Sequence, residues 1–264
     1  MSLKTELQGK IPGSELEKLS DRFDIIGDIA IVAIPSGMER YKPEISGAIM
    51  GGMHNIRTVL NKVSKLEGDR RVADLEILAG DSTETIHREY GFVYSIDLKK
   101  VFFNARLGFE RKRIASQVKS GESVLVPFAG VGPFAIPPAA AGATVVAVEM
   151  NPFACTSLRQ SCELNKVEDR VRIINADAAH IPEMIRCKFD RAIIPTPYGM
   201  DHFLEAVSPL VRKGGHLHFY TFKVKEQIPK LVKRYENMGF EVESYRRCGN
   251  VAPGVSRWAF DLKK

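Results

Sequence analysis

The stretch Ser123-Val124-Leu125-Val126-Pro127-Phe128-Ala129-Gly130-Val131-Gly132 decides the fold. Its first four residues form a short apolar run of the kind that makes a buried strand. The two glycines that follow permit a tight turn and a close approach of backbone to a ligand. Beyond them the sequence predicts a helix to about Ala141, whose N-terminal amides would attract negative groups. A strand–helix turn without a ligand uses glycines in the same way, so the loop alone is weak evidence for binding.

Downstream, strands and helices alternate. Strands are predicted at Thr144–Val148, Val171–Asn175, Phe189–Ile194 and His216–Phe222. Helices are predicted at Pro152–Asn165, Gly199–Leu210 and Val224–Met238, the first of these with proline at its opening turn. Such alternation implies a parallel sheet covered on both faces. Phe240–Tyr245 and Ser256–Leu262 follow with no helix between them, so they are expected as an antiparallel hairpin on that sheet. Upstream the pattern changes to short strands with one or two helices. Phe23–Ile34 reads as two strands meeting at Gly27-Asp28, Pro43–Met53 as a helix, and Ile56–Leu60, Leu75–Ala79, Thr83–Arg88 and Phe92–Leu98 as strands. Glu110–Val118 is predicted as a joining helix. The expected architecture is a doubly wound α/β domain at residues 106–264, preceded by a small α+β domain at 1–105.

Two carboxylates strengthen the glycine loop. Glu149 ends the second strand, 17 residues after Gly132. An acidic residue there can accept hydrogen bonds from both ribose hydroxyls of a nucleoside cofactor. Asp177 ends the third strand in Asn175-Ala176-Asp177-Ala178, where a carboxylate can accept from an adenine amine. Singly, each reads more readily as a helix N-cap or a surface charge. Together they fall at the C-terminal ends of consecutive strands, where open α/β sheets bind ligands. Ala135 stands where the dinucleotide fingerprint has its third glycine, a substitution that fingerprint tolerates, so NAD stays open at this point. The terminal hairpin favours the methyltransferase variant of the fold.

Composition sets outer bounds. The chain has 264 residues, 44% hydrophobic and 27% charged, enough for a sizeable core. No apolar run approaches the roughly 20 residues that span a bilayer. Met1–Lys10 carries no apolar signal-peptide core, and a cytoplasmic protein is expected. The cysteines 155, 162, 187 and 248 form no CxxC pair and no zinc-spaced cluster. Cys155 and Cys162 are expected on one helix face as packing residues. His216 and His218 alternate on the fifth strand and read as core or site-wall residues, so no metal is expected. Net charge is +6. Arginines and lysines cluster at Arg106, Arg111, Lys112 and Arg113, at Arg70-Arg71 and at Arg246-Arg247, which permits a polyanion but equally describes solvated faces.

Phe128-Ala129-Gly130-Val131-Gly132-Pro133-Phe134 resembles the cofactor loop of the archaeal and eukaryotic tRNA guanine-N1-methyltransferases, which act at position 37 beside the anticodon. The resemblance extends through Lys62-Val63-Ser64-Lys65, Leu75 to Gly80, Thr85 to Glu89, Arg106-Leu107 with Glu110-Arg111, and Glu149-Met150-Asn151-Pro152. It implies S-adenosylmethionine as cofactor and tRNA as partner. It implies that Glu110, in the R-L-x-x-E-R pattern, removes the N1 proton, and that Arg71 stabilises charge growing on guanine O6. It places Arg106, Phe128, Ala129, Gly130, Gly132, Glu149, Met150, Asp177, Ala178 and Pro195 around the cofactor. Arg111, Pro197 and Tyr198 are assigned to the substrate, Tyr198 by stacking on an unstacked base. Read without the resemblance, Glu110 is a helix-face carboxylate paired with Arg113 or Lys112.

The chain departs from the pattern at Pro127, where the family usually has aspartate, and at Pro195-Thr196-Pro197, where it usually has N-L-P. A sister group, which transfers an aminocarboxypropyl group from the same cofactor in wybutosine synthesis, often loses N-L-P but tends to replace the arginine kept here as Arg106. The chain begins close to the small domain, so the additional domain with which many of the methyltransferases grip the tRNA elbow is not expected, a trait more typical of the sister group. Three readings follow: N1 methylation of guanine 37, aminocarboxypropyl transfer, and a cofactor- and RNA-binding protein with impaired catalysis. Oligomeric state is not readable.

Overall fold

The computed structural model describes residues 2–63 and 73–264; Arg70, Arg71 and the Ser64-Lys65 pair lie outside the described residues. The chain forms two compact units, Met1–Glu89 with Ser95–Ala105, and Tyr90–Tyr94 with Arg106–Lys264.

The first unit is built on β1 (Asp24–Ile26), β2 (Ile29–Val32), β3 (Thr58–Lys62) and β4 (Leu75–Ala79), hydrogen-bonded in that order. β1 and β2 are an antiparallel pair, β2 and β3 run parallel, and β3 and β4 are antiparallel. Two short helices, α1 (Leu3–Glu6) and α2 (Gly13–Leu16), precede the sheet. A parallel pair needs a crossover. Helix α3 (Lys42–Gly52) supplies it, with proline in its first turn. Leu3, Leu7, Leu16 and Leu19 are buried with Ile45, Ile49 and Val59 in one cluster. Leu3 and Leu7 stand one turn apart, so the polar-looking start of the chain carries an apolar edge into this core. β5 (Glu84–Glu89) and β6 (Phe92–Asp97) make a two-stranded sheet.

The second unit is a seven-stranded sheet. Its strands are β7 (Ser123–Pro127), β8 (Thr144–Glu149), β9 (Val171–Asn175), β10 (Phe189–Ile194), β11 (Val211–Lys223), β12 (Glu241–Ala252) and β13 (Val255–Lys263), in the order β12-β13-β11-β10-β7-β8-β9. The five strands from β7 to β11 pair in parallel. β13 is antiparallel to both β11 and β12, so the final hairpin folds its second strand inside its first. Val124, Leu125 and Val126 are all fully buried, as a central parallel strand requires. The connecting helices are α4 (Gly108–Ala115), α5 (Ile136–Ala140), α6 (Pro152–Leu164), α7 (Ile181–Met184), α8 (Phe203–Val207) and α9 (Ile228–Asn237). α6 buries Ala154, Cys155, Leu158, Ser161 and Cys162, the three-to-four-residue spacing of one helix face. All four cysteines are free thiols.

Several expected elements differ in their bounds: β11 begins at Val211 and not His216, β12 runs on to Ala252, α4 spans Gly108–Ala115 and α9 begins at Ile228. The strand expected from Ile56 starts at Thr58, because the Ile56 N–H closes a turn on Met53 O. The helix after the glycine loop shrinks to Ile136–Ala140, since Gly132 takes φ +97° and the chain is still turning there. The helix expected from Gly199 begins only at Phe203, because Gly199 sits at φ +81°.

Candidate active site

The C-terminal ends of β7, β8 and β9 lie side by side. Pro127 pairs with Val148, and Glu149 with Asn175. The glycine loop leaves β7 through closely spaced departures from ordinary backbone, of which Gly132 at φ +97° is the last. Phe128 takes φ +56° and Gly130 φ +55°. For phenylalanine that conformation costs on the order of 1–2 kcal/mol, and it must be held by its surroundings. The ring provides the hold, packing edge-on against Phe203 at 4.7 Å. Phe128 therefore offers the loop's ligand side its backbone, with its ring turned into the core.

The two glycines differ in environment. A Cβ on Gly132 would stand 2.3 Å from Leu158 Cδ1 and 3.0 Å from Ile136 Cδ1, so this glycine lets loop and helices close-pack. A Cβ on Gly130 would meet nothing within 4 Å. That open side faces no protein atom at contact distance and is free for a ligand.

Glu149 is tied to this loop. Its Oε2 accepts the Gly130 N–H at 2.9 Å and its Oε1 the Asn151 N–H at 2.8 Å. One donor on each oxygen leaves lone pairs for two further hydroxyls. Burial pushes its pKa above the usual 4.5, against the pull of the Asn151 and Gly130 amides. Asn175 donates its side-chain amide to Glu149 O at 2.9 Å and Met150 O at 3.0 Å, clasping the turn that follows β8. Asn151 is buried and caps α6 by accepting the Phe153 N–H at 3.1 Å. Asp177 is exposed; its Oδ1 accepts the Ala179 N–H at 2.9 Å, and Ala178 beside it is buried. Met150 is exposed. Gly130, Gly132, Glu149 and Asp177 thus occupy the ends of three adjacent strands.

After β10, Pro195 and Pro197 are half-buried and Thr196 is buried, its N–H and hydroxyl both turned to Ile194 O. Tyr198 is 57% exposed and rests on Phe222, with ring centroids 5.4 Å apart. The two rings are tilted by 56°, and more than half of Tyr198 stays exposed. Arg106 is exposed in a 3-10 turn ahead of α4. Arg111 is buried with its guanidinium over the Phe134 ring at 5.9 Å, on the glycine-loop side.

Glu110 is also buried. It accepts from Arg113 Nη2 at 2.9 Å and from Tyr220 Oη at 3.2 Å, both on Oε2. The Tyr220 ring packs on Phe134, 5.5 Å between centroids, so Glu110 sits close behind the loop. Arg113 also binds Asp261. Burial works to raise the Asp261 pKa, but hydrogen bonding from His218 and the Arg113 ion pair outweigh it and hold this carboxyl well below the usual range. His218 is fully buried, and burial pushes its pKa down from 6.5. Sequence reasoning placed His218 in the core or site wall and missed the network it belongs to. The available signal was Asp261 itself, a carboxylate inside the apolar run Trp258 to Leu262.

A family profile described as the TRM5/TYW2 methyltransferase domain matches residues 85–245, and one described as the TYW2 N-terminal domain matches residues 3–83. The chain belongs to the TRM5/TYW2 methyltransferase family. The tRNA (guanine(37)-N(1))-methyltransferase Trm5b of Pyrococcus abyssi is 37% identical over 254 residues, which span 93% of this chain and 75% of that protein. Among solved structures, the complex of aTrm5 and tRNALeu matches with a TM-score of 0.89 at 31% identity, over 100% of this chain and 78% of that one. The P. horikoshii TYW2 in complex with MeSAdo matches with a TM-score of 0.80 at 26% identity, over 99% and 97%. The fold is accordingly the Rossmann-like methyltransferase domain of the TRM5/TYW2 enzymes with a smaller N-terminal domain, and the chain is a transferase. Among the described residues no helix is long and apolar enough to cross a membrane.

Proposed function

We propose that this protein transfers a methyl group from S-adenosylmethionine to N1 of the guanine at tRNA position 37. Residues 106–264 serve as the cofactor-binding domain and residues 1–105 as the smaller substrate-side domain. The observation that carries the reading is the row formed by Gly130, Glu149 and Asp177 on adjacent strand ends, in a chain 37% identical to an enzyme of that name. The residues fit the cofactor. Gly130 has an open side, and Glu149 keeps lone pairs on both oxygens for a pair of ribose hydroxyls. Asp177 suits an adenine amine. The solved neighbour holding MeSAdo supports an adenosine-containing ligand in this fold. Four free thiols accord with the reducing cytoplasm, where tRNA is modified.

Bound S-adenosylmethionine supplies an electrophilic methyl. The protein's task is to hold N1 in line with it and to take the N1 proton, and alignment of this kind lowers barriers by several kcal/mol. Glu110 would accept the N1 proton on a carboxylate oxygen, which frees the N1 electron pair for the methyl that the bound cofactor would supply. Tyr198, more than half exposed, stacks on the base.

A second reading is favoured by the TYW2 N-terminal match over residues 3–83 and by Pro195-Thr196-Pro197 in place of N-L-P. It is aminocarboxypropyl transfer from the same cofactor. Incubating tRNA with cofactor labelled separately in its methyl and carboxyl groups separates the two. Methyl label in the RNA is expected. Carboxyl label overturns the first reading in favour of the second, and cofactor binding with neither label transferred overturns both.

A further inference from the structure

We propose that Arg113, locked in place by Asp261 and His218, is a positioning residue that fixes the Glu110 carboxylate for proton removal. The proposal rests on Glu110 being the base. Arg113 and Glu110 stand one turn apart on α4, while Asp261 comes from β13 and His218 from β11. The planar guanidinium reaches both carboxylates at once. Its Nη1 donates to Asp261 Oδ2 at 2.6 Å and its Nη2 to Asp261 Oδ1 at 3.1 Å. The same Nη2 donates to Glu110 Oε2 at 2.9 Å, and Nε donates to Oε2 at 3.1 Å. Side-chain exposure is 10% for Arg113, 4% for Glu110 and 8% for Asp261. Glu110 cannot swing without breaking a two-bond contact to Arg113, which the sheet holds through Asp261.

The lock is itself held. Asp261 Oδ1 lies 2.6 Å from His218 Nδ1, and Ser244 Oγ donates to Oδ2 at 2.9 Å. His218 Nε2 lies 2.6 Å from Arg191 Nη1. A guanidinium only donates, so Nε2 must accept and the proton must sit on Nδ1, facing Asp261. Histidine is therefore neutral here, and the geometry sets its tautomer. Arg191 is anchored in turn by Glu122, at 2.8 Å and 3.1 Å, and by Gln117 O at 3.0 Å. Arg246 stands 3.6 Å from Asp261 as a further cation.

Two features suit proton transfer better than scaffolding. Among the described residues, Glu110 Oε2 takes the shorter contacts from Arg113 and the Tyr220 hydroxyl, while Oε1 takes only a 3.3 Å contact from Arg113 Nε. Oε1 is thus the oxygen with lone pairs to spare. Asp261 also answers a charge problem. When Glu110 takes a proton it loses its negative charge, and Arg113 would become a buried cation without a partner. Asp261 remains ionised beside it, so the network tolerates both states of Glu110.

The test is steady-state methylation of tRNA by Glu110→Gln, Arg113→Lys and Asp261→Asn, singly and combined. Lysine keeps the charge and loses the planar fork. Arg113→Lys and Asp261→Asn are expected to lower kcat by about tenfold to a hundredfold, the usual effect of misplacing a catalytic group. KM for cofactor and tRNA should hold within about twofold, because binding groups are untouched. In the Glu110→Gln background neither change should lower kcat further, whereas a purely structural role lowers it in both backgrounds. Should Asp261→Asn fail to fold, Arg113→Ala with added guanidinium replaces it: guanidinium should restore turnover when Glu110 is present and should not do so in the Glu110→Gln background. Unchanged kcat in Arg113→Lys beside an inactive Glu110→Gln, or equal losses in both backgrounds, overturns the proposal alone. Full activity in Glu110→Gln overturns the base assignment itself.

Discussion

Two residues apart in one loop, Gly130 and Gly132 answer to different constraints. An alanine at Gly132 must adopt φ +97° and push its Cβ against Leu158 and Ile136. Strain and overpacking together should destabilise the protein by about 2–4 kcal/mol. An alanine at Gly130 meets no neighbour and pays only the left-handed backbone, about 1–2 kcal/mol. Its methyl would project into the space assigned to the cofactor. Denaturant titration should therefore show Gly132→Ala as the larger loss of stability. Calorimetry should show Gly130→Ala as the larger loss of cofactor affinity in the variants that still fold. Equal affinity in wild type and Gly130→Ala would remove that side of the loop from the binding site.

At the scale of elements, what was legible followed from burial pattern. β9 and β10 have the bounds expected for them, anchored by Ile173-Ile174 and by Ala192-Ile193-Ile194, although Arg172 interrupts the first run and Asp190-Arg191 the second. α6 was bounded by Pro152 and its Asn151 cap. Glycines in left-handed backbone were harder to weigh. Gly199 could have opened a helix on composition, and only its φ of +81° shows that the chain is still turning. The nesting of β13 between β11 and β12 was equally hidden, since alternation along each strand says nothing of neighbour order. The positions of Glu149 at the end of β8 and of Asp177 just past β9 were readable from the sequence. The Glu110–Arg113 pair was legible from its one-turn spacing on α4, whereas Tyr220 and Asp261 were not, because they lie on β11 and β13 and reach α4 only through sheet order.

At the scale of the molecule, the buried network makes stability depend on pH. Burial lowers the His218 pKa below 6.5, so an unfolded chain binds more protons than the native one just under that pH. The stability this supplies is complete above pH 6.5 and is lost as the pH falls. Asp261, held below the usual 3.8, adds a second loss of the same sign at more acid pH. Glu149 works in the opposite sense: its pKa is raised, so its contribution is present at low pH and lost as the pH rises through its folded value. Thermal unfolding should accordingly show a midpoint that drops between pH 7 and pH 5. His218→Gln should start lower at pH 7 and fall less steeply, and an equally steep fall would assign the effect elsewhere.

The central claim is methyl transfer to N1 of guanine 37, and fragment mass mapping of tRNA tests it most directly. A tRNA with guanosine at position 37, incubated with the protein and S-adenosylmethionine, should gain the mass of one methyl group on the fragment containing that position. The same tRNA with adenosine there should gain none. An unchanged guanosine fragment, or one enlarged by an aminocarboxypropyl group, would contradict the account.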